Sequence, residues 1–189
     1  MAKEEIDVSR RRLLFGFLDR VRGAEQAPVA AASRTAPVLA AANTAFTSGD
    51  FEGAAGHYRE FLQMESGNLE AHQRLGECLY HLGKHIQAKV ELERVLHKNH
   101  KDNRALLYLG LVMARLERVE KAAVLWKLYF DPHNVLVQRE LNLQIALIES
   151  AGEDDKPSHT AVAEAIEAVL ASVAGKDAGN GAGKDAPKA

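Results

Sequence analysis

The chain holds 189 residues, 47% hydrophobic and 26% charged, with 24 Lys+Arg against 26 Asp+Glu. That length suits one domain with tails, and a net charge of −2 with no basic stripe of interleaved aromatics gives no pull toward nucleic acid. The single cysteine, Cys78, closes no internal disulfide and fills no cysteine-based zinc site, which fits a reducing, cytoplasmic setting. No apolar run approaches the ~20 residues of a bilayer span.

In chain order, residues 1–34 come first: a basic apolar segment, then an Ala/Pro linker from Gly23 to Ala36. Ser9-Arg10-Arg11-Arg12-Leu13-Leu14 resembles the bacterial twin-arginine export motif, with Leu13 where phenylalanine is usual. The apolar stretch Leu13 to Leu18 is shorter than the ~7–15 residues a signal peptide needs, and Asp19 and Arg20 end it. Read as a helix, Leu13, Leu14, Phe17, Leu18 and Val21 share a face ringed by Arg10, Arg11, Arg12, Arg20 and Arg22. Five arginines less Asp19 give roughly 4 kcal/mol against an anionic leaflet, enough for weak membrane-surface contact. Docking on a partner protein is an equal use of the segment. Export with cleavage near Ala32 is a third reading.

The next hundred residues repeat themselves. Gly49-Asp50-Phe51-Glu52-Gly53-Ala54 aligns with Gly83-Lys84-His85-Ile86-Gln87-Ala88, and then with Glu117-Arg118-Val119-Glu120-Lys121-Ala122, at a constant interval of 34 positions. Ala54, Ala88 and Ala122 coincide, as do the large residues Tyr58, Leu92 and Trp126. Upstream, Leu75-Gly76 matches Leu109-Gly110, with Ala41-Ala42 in the first copy. This pattern resembles the tetratricopeptide repeat over residues 35–136, with copies Thr35–Asn68, Leu69–Asp102 and Asn103–Leu136. The resemblance implies two antiparallel helices per copy. Gly76 and Gly110 permit close approach, the alanines nest, and Gly49 and Gly83 turn the chain with positive φ. Glu117 replaces the third turn glycine, and the expected late proline appears only as Pro132.

Repeat arrays need caps. Val135 to Glu149 carries two apolar stripes: Val137, Leu141, Ile145 and Ile148, and also Leu136, Leu143 and Leu147. One side is expected against the third copy. The other is expected to receive a helix from Thr160 to Ala174, with Val162, Ile166, Val169, Leu170 and Val173 on one stripe, folded back as a lid. Pro157-Ser158 marks its start and Gly175 its end. From Gly175 to Ala189 the composition is that of a disordered tail. The expected fold is all-α: a right-handed α-solenoid of three helix pairs, a capping helix and a C-terminal lid helix.

The resemblance also implies a groove lined by the first helix of each pair. Its positions here are Leu39, Asn43 and Phe46, then Glu70, Gln73, Glu77, Tyr80 and His81, then Arg104, Leu107, Leu111 and Arg115. That mixture suits a protein or peptide segment with apolar anchors and charge. One known groove type grips a C-terminal carboxylate with Lys and Asn from successive copies. Asn43 and Arg104 fit it, but Leu39, Arg74 and Tyr108 do not, so that ligand is rejected. Leu107 and Leu111, expected at the surface, suit a second copy of the chain as well as a stranger.

Catalytic signals are missing. Cys78, His81 and His85 have a C-x2-H-x3-H spacing, but Gly83 breaks the helix between the two histidines and no fourth ligand appears. No G-x-S-x-G elbow occurs, and Gly179 to Lys184 lies in the tail without the strand and helix a phosphate loop needs. The expected function is a non-catalytic, cofactor-free interaction scaffold or adaptor. The alternative is an assembly or maturation factor for a membrane-bound or exported redox complex.

Overall fold

The computed structural model describes residues 34–152 and 155–181. The N-terminal segment with Arg10 to Leu18, most of the linker, Glu153-Asp154 and the tail from residue 182 lie outside the described residues. Among the described residues there are eight helices and no strand. They are α1 (34–47), α2 (Phe51–Met64), α3 (Leu69–His81), α4 (His85–Lys98), α5 (Asn103–Arg115), α6 (Val119–Trp126), α7 (Val135–Ser150) and α8 (His159–Gly181). The chain divides into two compact units, one ending at Gly67 and the other beginning at Asn68.

The first unit holds the hairpin of α1 and α2. Gly49 turns it with φ +81°, and Asp50 caps α2 by accepting from the Gly53 amide at 2.9 Å. Ala42, Ala54, Ala55 and Tyr58 are completely buried. Small residues on both helices let the backbones close on each other, and the Tyr58 ring fills what remains.

In the second unit, sequential helices nest: α3 on α4, α4 on α5, α5 on α6 and α6 on α7. Asn68 and Asp102 occupy equivalent positions and each caps a first helix, accepting from the amides of Ala71 and Ala105 at 2.9 Å. Leu92 lies across Gly76, where an added Cβ would meet its Cγ at 2.7 Å. Trp126 lies across Gly110 and is completely buried. Its indole donates to the Leu107 carbonyl at 3.2 Å, so the largest core residue leaves no polar group unpaired. Gly83 turns the second pair with φ +70°, and Glu117 turns the third with φ +61°.

The third pair is uneven. α6 ends at Trp126, short of Asp131-Pro132, and an irregular stretch joins it to α7. Asn103 holds the irregular stretch, donating to the Phe130 carbonyl at 2.6 Å and accepting from the Phe130 amide at 3.3 Å.

The end of the chain differs from expectation. The first stripe of α7, Val137, Leu141, Ile145 and Ile148, is buried, whereas Leu136, Leu143 and Leu147 are exposed. α8 does fold back, starting beside Ser158, whose hydroxyl accepts from the Ala161 amide at 3.2 Å. It packs on α5 as well as α7, not over the second stripe. Its backbone stays helical past Gly175, to Gly181, where the sequence predicted tail.

Candidate partner-binding face

The expected groove residues divide between the two units. In the first, Asn43 Oδ1 accepts from the Tyr58 hydroxyl at 2.6 Å, and the Phe46 ring meets Phe51 and Tyr58 edge-on at 5.8 and 6.4 Å. Leu39 is half-buried. These side chains serve the packing of their own hairpin.

In the second unit the first helices α3 and α5 lie side by side. Glu70 is exposed near the start of α3, and Gln73 donates to Asp102 Oδ1 at 2.5 Å. One turn on, Glu77 is 3% exposed, which a lone carboxylate would not tolerate. Arg104 supplies both partners, Nε to Oε2 at 2.7 Å and Nη2 to Oε1 at 2.6 Å. This fork-to-carboxylate geometry is the strong form of the pair. Beyond it stand Tyr80, His81 and Tyr108, with ring centroids 5.7 to 6.0 Å apart.

At the far end of the two helices is a contact that links them to α8. Arg115 Nη2 donates to both oxygens of Glu167, at 2.9 and 2.8 Å, and the Tyr80 hydroxyl donates to Glu167 Oε1. Between this anchor and the Glu77–Arg104 pair, a cavity of about 580 Å³ opens. α3, α5, the start of α7 and the second half of α8 bound it, with Leu107, Tyr108 and Leu111 among its lining. Leu107 and Leu111, expected at the surface, are buried along this cavity. Glu167 was missed in the sequence. Its one signal is an acid directly after Ile166 on an otherwise apolar stripe.

Residues 45–123 match the sequence profile of the tetratricopeptide repeat. Over those residues the chain is similar to that family. No curated protein matches the sequence. Among solved structures, MamA is similar with 16% identity and a TM-score of 0.56, over 87% of this chain and 95% of that one. The first tetratricopeptide domain of Spaghetti (RPAP3), bound to an HSP90 peptide, is 16% identical with a TM-score of 0.49, over 74% of this chain and 95% of that one. At this identity the MamA likeness is one of fold.

The electrostatics of the repeat face follow from its packing. Burial, then the hydrogen bond to Glu167, raises the Tyr80 phenol well above its ordinary value. Burial, then the charge of Glu77, does the same to Tyr108. The hydrogen bonds to Glu167 and then Tyr80 hold the Arg115 guanidinium firmly charged. Desolvation is the largest single influence and works against the Arg104 charge, but the hydrogen bond and charge of Glu77, with Tyr108 and Asp102, together outweigh it and the net shift is upward. His81 keeps an exposed edge yet is crowded by the tyrosines, and desolvation lowers its pKa. Desolvation, then the nearby Arg115 charge, lowers His85, whose Nδ1 is buried without a hydrogen-bond partner. Cys78 is wholly buried in α3. Among the described residues no three His, Cys, Asp or Glu side chains are grouped to hold a metal, and no helix is long and apolar enough to cross a membrane.

Proposed function

We propose that the chain is a non-catalytic interaction scaffold whose first-helix face, built by α3 and α5, takes a segment of a partner protein. The tetratricopeptide repeat is a non-enzymatic protein-interaction fold, and residues 45–123 are similar to it. The observation that carries the reading is the cavity on this face. Apolar Leu107 and Leu111 line it together with the Glu77–Arg104 pair and with Glu167, the partner of Arg115, which is the mixture a peptide with apolar anchors and charge requires. The basic N-terminal segment adds a second weak contact, at a membrane surface or on the same partner. Two tethered weak contacts exceed either alone through effective concentration.

A photo-crosslinking residue tests this when placed at His81, on the face, and at Val90, exposed on α4 away from it. The same partner identified from position 81 and not from 90, in the cells that make the protein, is the expected result. Equal capture from both positions removes the face from its role.

A further inference from the structure

α8 does more than cover the end of the repeats. Its grip on the second unit comes from two sources. Val162, Ala163 and Ile166 are buried, and Glu167 binds Arg115 and Tyr80. Past Glu167 the grip fades. Leu170 and Val173 are half-buried, and Ala171 and Ala174 are exposed over the 580 Å³ cavity. Pockets of this size hold a drug-sized ligand or several bulky side chains. α8 fills the charged end of the face and leaves the apolar end open.

The hold of α8 on that position is small. Its glycines, Gly175, Gly179 and Gly181, all lie beyond the gripping part, which rests on Val162, Ala163, Ile166 and Glu167. Lifting α8 would leave Arg115 and the Tyr80 hydroxyl without the carboxylate that satisfies both, whereas Arg104 would keep Glu77. The exposed face would therefore ask for one carboxylate beside Arg115 and for bulk over Leu107 and Leu111.

We propose that α8 is an intramolecular stand-in for a partner helix: the α3–α5 face takes an amphipathic helix with a carboxylate in the place of Glu167 and large apolar residues four and seven positions later, where α8 has Ala171 and Ala174. This rests on the scaffold reading and names the partner class for it. α8 and the partner compete for one surface, so the apparent affinity scales with the fraction of molecules in which α8 is lifted.

The test uses the full chain and a labelled peptide of residues 158–175 carrying Ala171→Leu and Ala174→Phe. The peptide is expected to bind, and its Glu167→Gln form to bind about tenfold more weakly, the loss of one charge-assisted hydrogen-bond set. The full chain with Glu167→Gln is expected to bind the peptide about tenfold more tightly, because its own helix lets go. The full chain with its own Ala171→Leu and Ala174→Phe changes in the opposite direction, binding at least tenfold more weakly while keeping its helix content. Equal binding of the two peptides overturns the proposal, as does equal binding by wild type and both chain variants. A doubled mass of the Glu167→Gln chain assigns the face to a second copy and overturns it too. So does peptide binding that appears only when residues 1–33 are removed, which assigns the face to the chain's own leader. If crosslinking from His81 captures a partner while the peptide fails, the partner class falls and the scaffold stands. If crosslinking fails as well, both fall.

Discussion

Trp126 lies against Gly110, so that a single added methyl on that glycine would overlap the indole. The pair is the third repeat of a relationship that Gly76 and Leu92 show in the second. Gly110→Ala forces either the indole or the α5–α6 spacing to move, and overpacking of this kind costs about 2–3 kcal/mol. Denaturant titration should show the midpoint falling with an unchanged slope. Gly76→Ala should cost less, since it meets the branch of a leucine rather than a fused ring.

Glu117 occupies the left-handed conformation that Gly49 and Gly83 supply in the other two pairs. A residue with a side chain loses roughly 1–2 kcal/mol there. Its side chain approaches His159 at 3.8 Å, a largely exposed contact that contributes little. Glu117→Gly should therefore stabilise the fold by about 0.5–1 kcal/mol, after the extra freedom of glycine in the unfolded chain is offset. A rise in midpoint on thermal or urea unfolding checks it, and a fall would show that the His159 contact outweighs the strain.

The Glu77–Arg104 pair predicts an asymmetry. Glu77 is almost wholly buried, whereas Arg104 retains 43% of its side-chain exposure. Arg104→Ala strands a buried carboxylate and should cost about 2–3 kcal/mol. Arg104→Met with Glu77→Leu replaces both charges and should cost less than the single change. A double-mutant cycle in urea reads the difference, and a double variant weaker than Arg104→Ala would contradict it.

His81 and His85 set a pH dependence. Both have a folded pKa below the ordinary 6.5, desolvation being the first cause in each. The unfolded chain then binds more protons, so stability is full above about pH 6.5 and is lost as pH falls through the depressed folded values. His81 faces Glu77 and Glu167, which oppose the shift, and Arg104, which adds to it. His85 faces Arg115, which adds to its shift, and Glu167, which opposes it. A chain with His81→Gln and His85→Gln should lose less melting temperature than wild type between about pH 7.5 and 5.5, the range that brackets the unfolded value. Parallel curves would deny the histidines a role.

Much of the fold was legible because it is local and periodic. Ala88 and Ala122 face core, Leu92 and Trp126 fill it, and the turn at Gly83 sits where the interval put it. Each of these follows from spacing within one or two helices. The arrangement of α8 was not legible. Glu167 meets Arg115 and Tyr80 across 52 and 87 positions, and no periodicity encodes such a contact. The two stripes of α7 gave α8 two possible seats, and apolar spacing alone did not choose between them. Beside the buried Val162, Ala163 and Ile166, the seat it takes holds one carboxylate that meets a cation and a phenol, a polar event that hydrophobic patterning does not register.

Hydrogen exchange of the α8 amides, followed while the peptide carrying Ala171→Leu and Ala174→Phe is added to the full chain, tests the central claim most directly. The account predicts faster exchange across residues 162–174 together with slower exchange at the ends of α3 and α5, as one helix replaces another on the same face. Peptide binding with α8 still fully protected would contradict it.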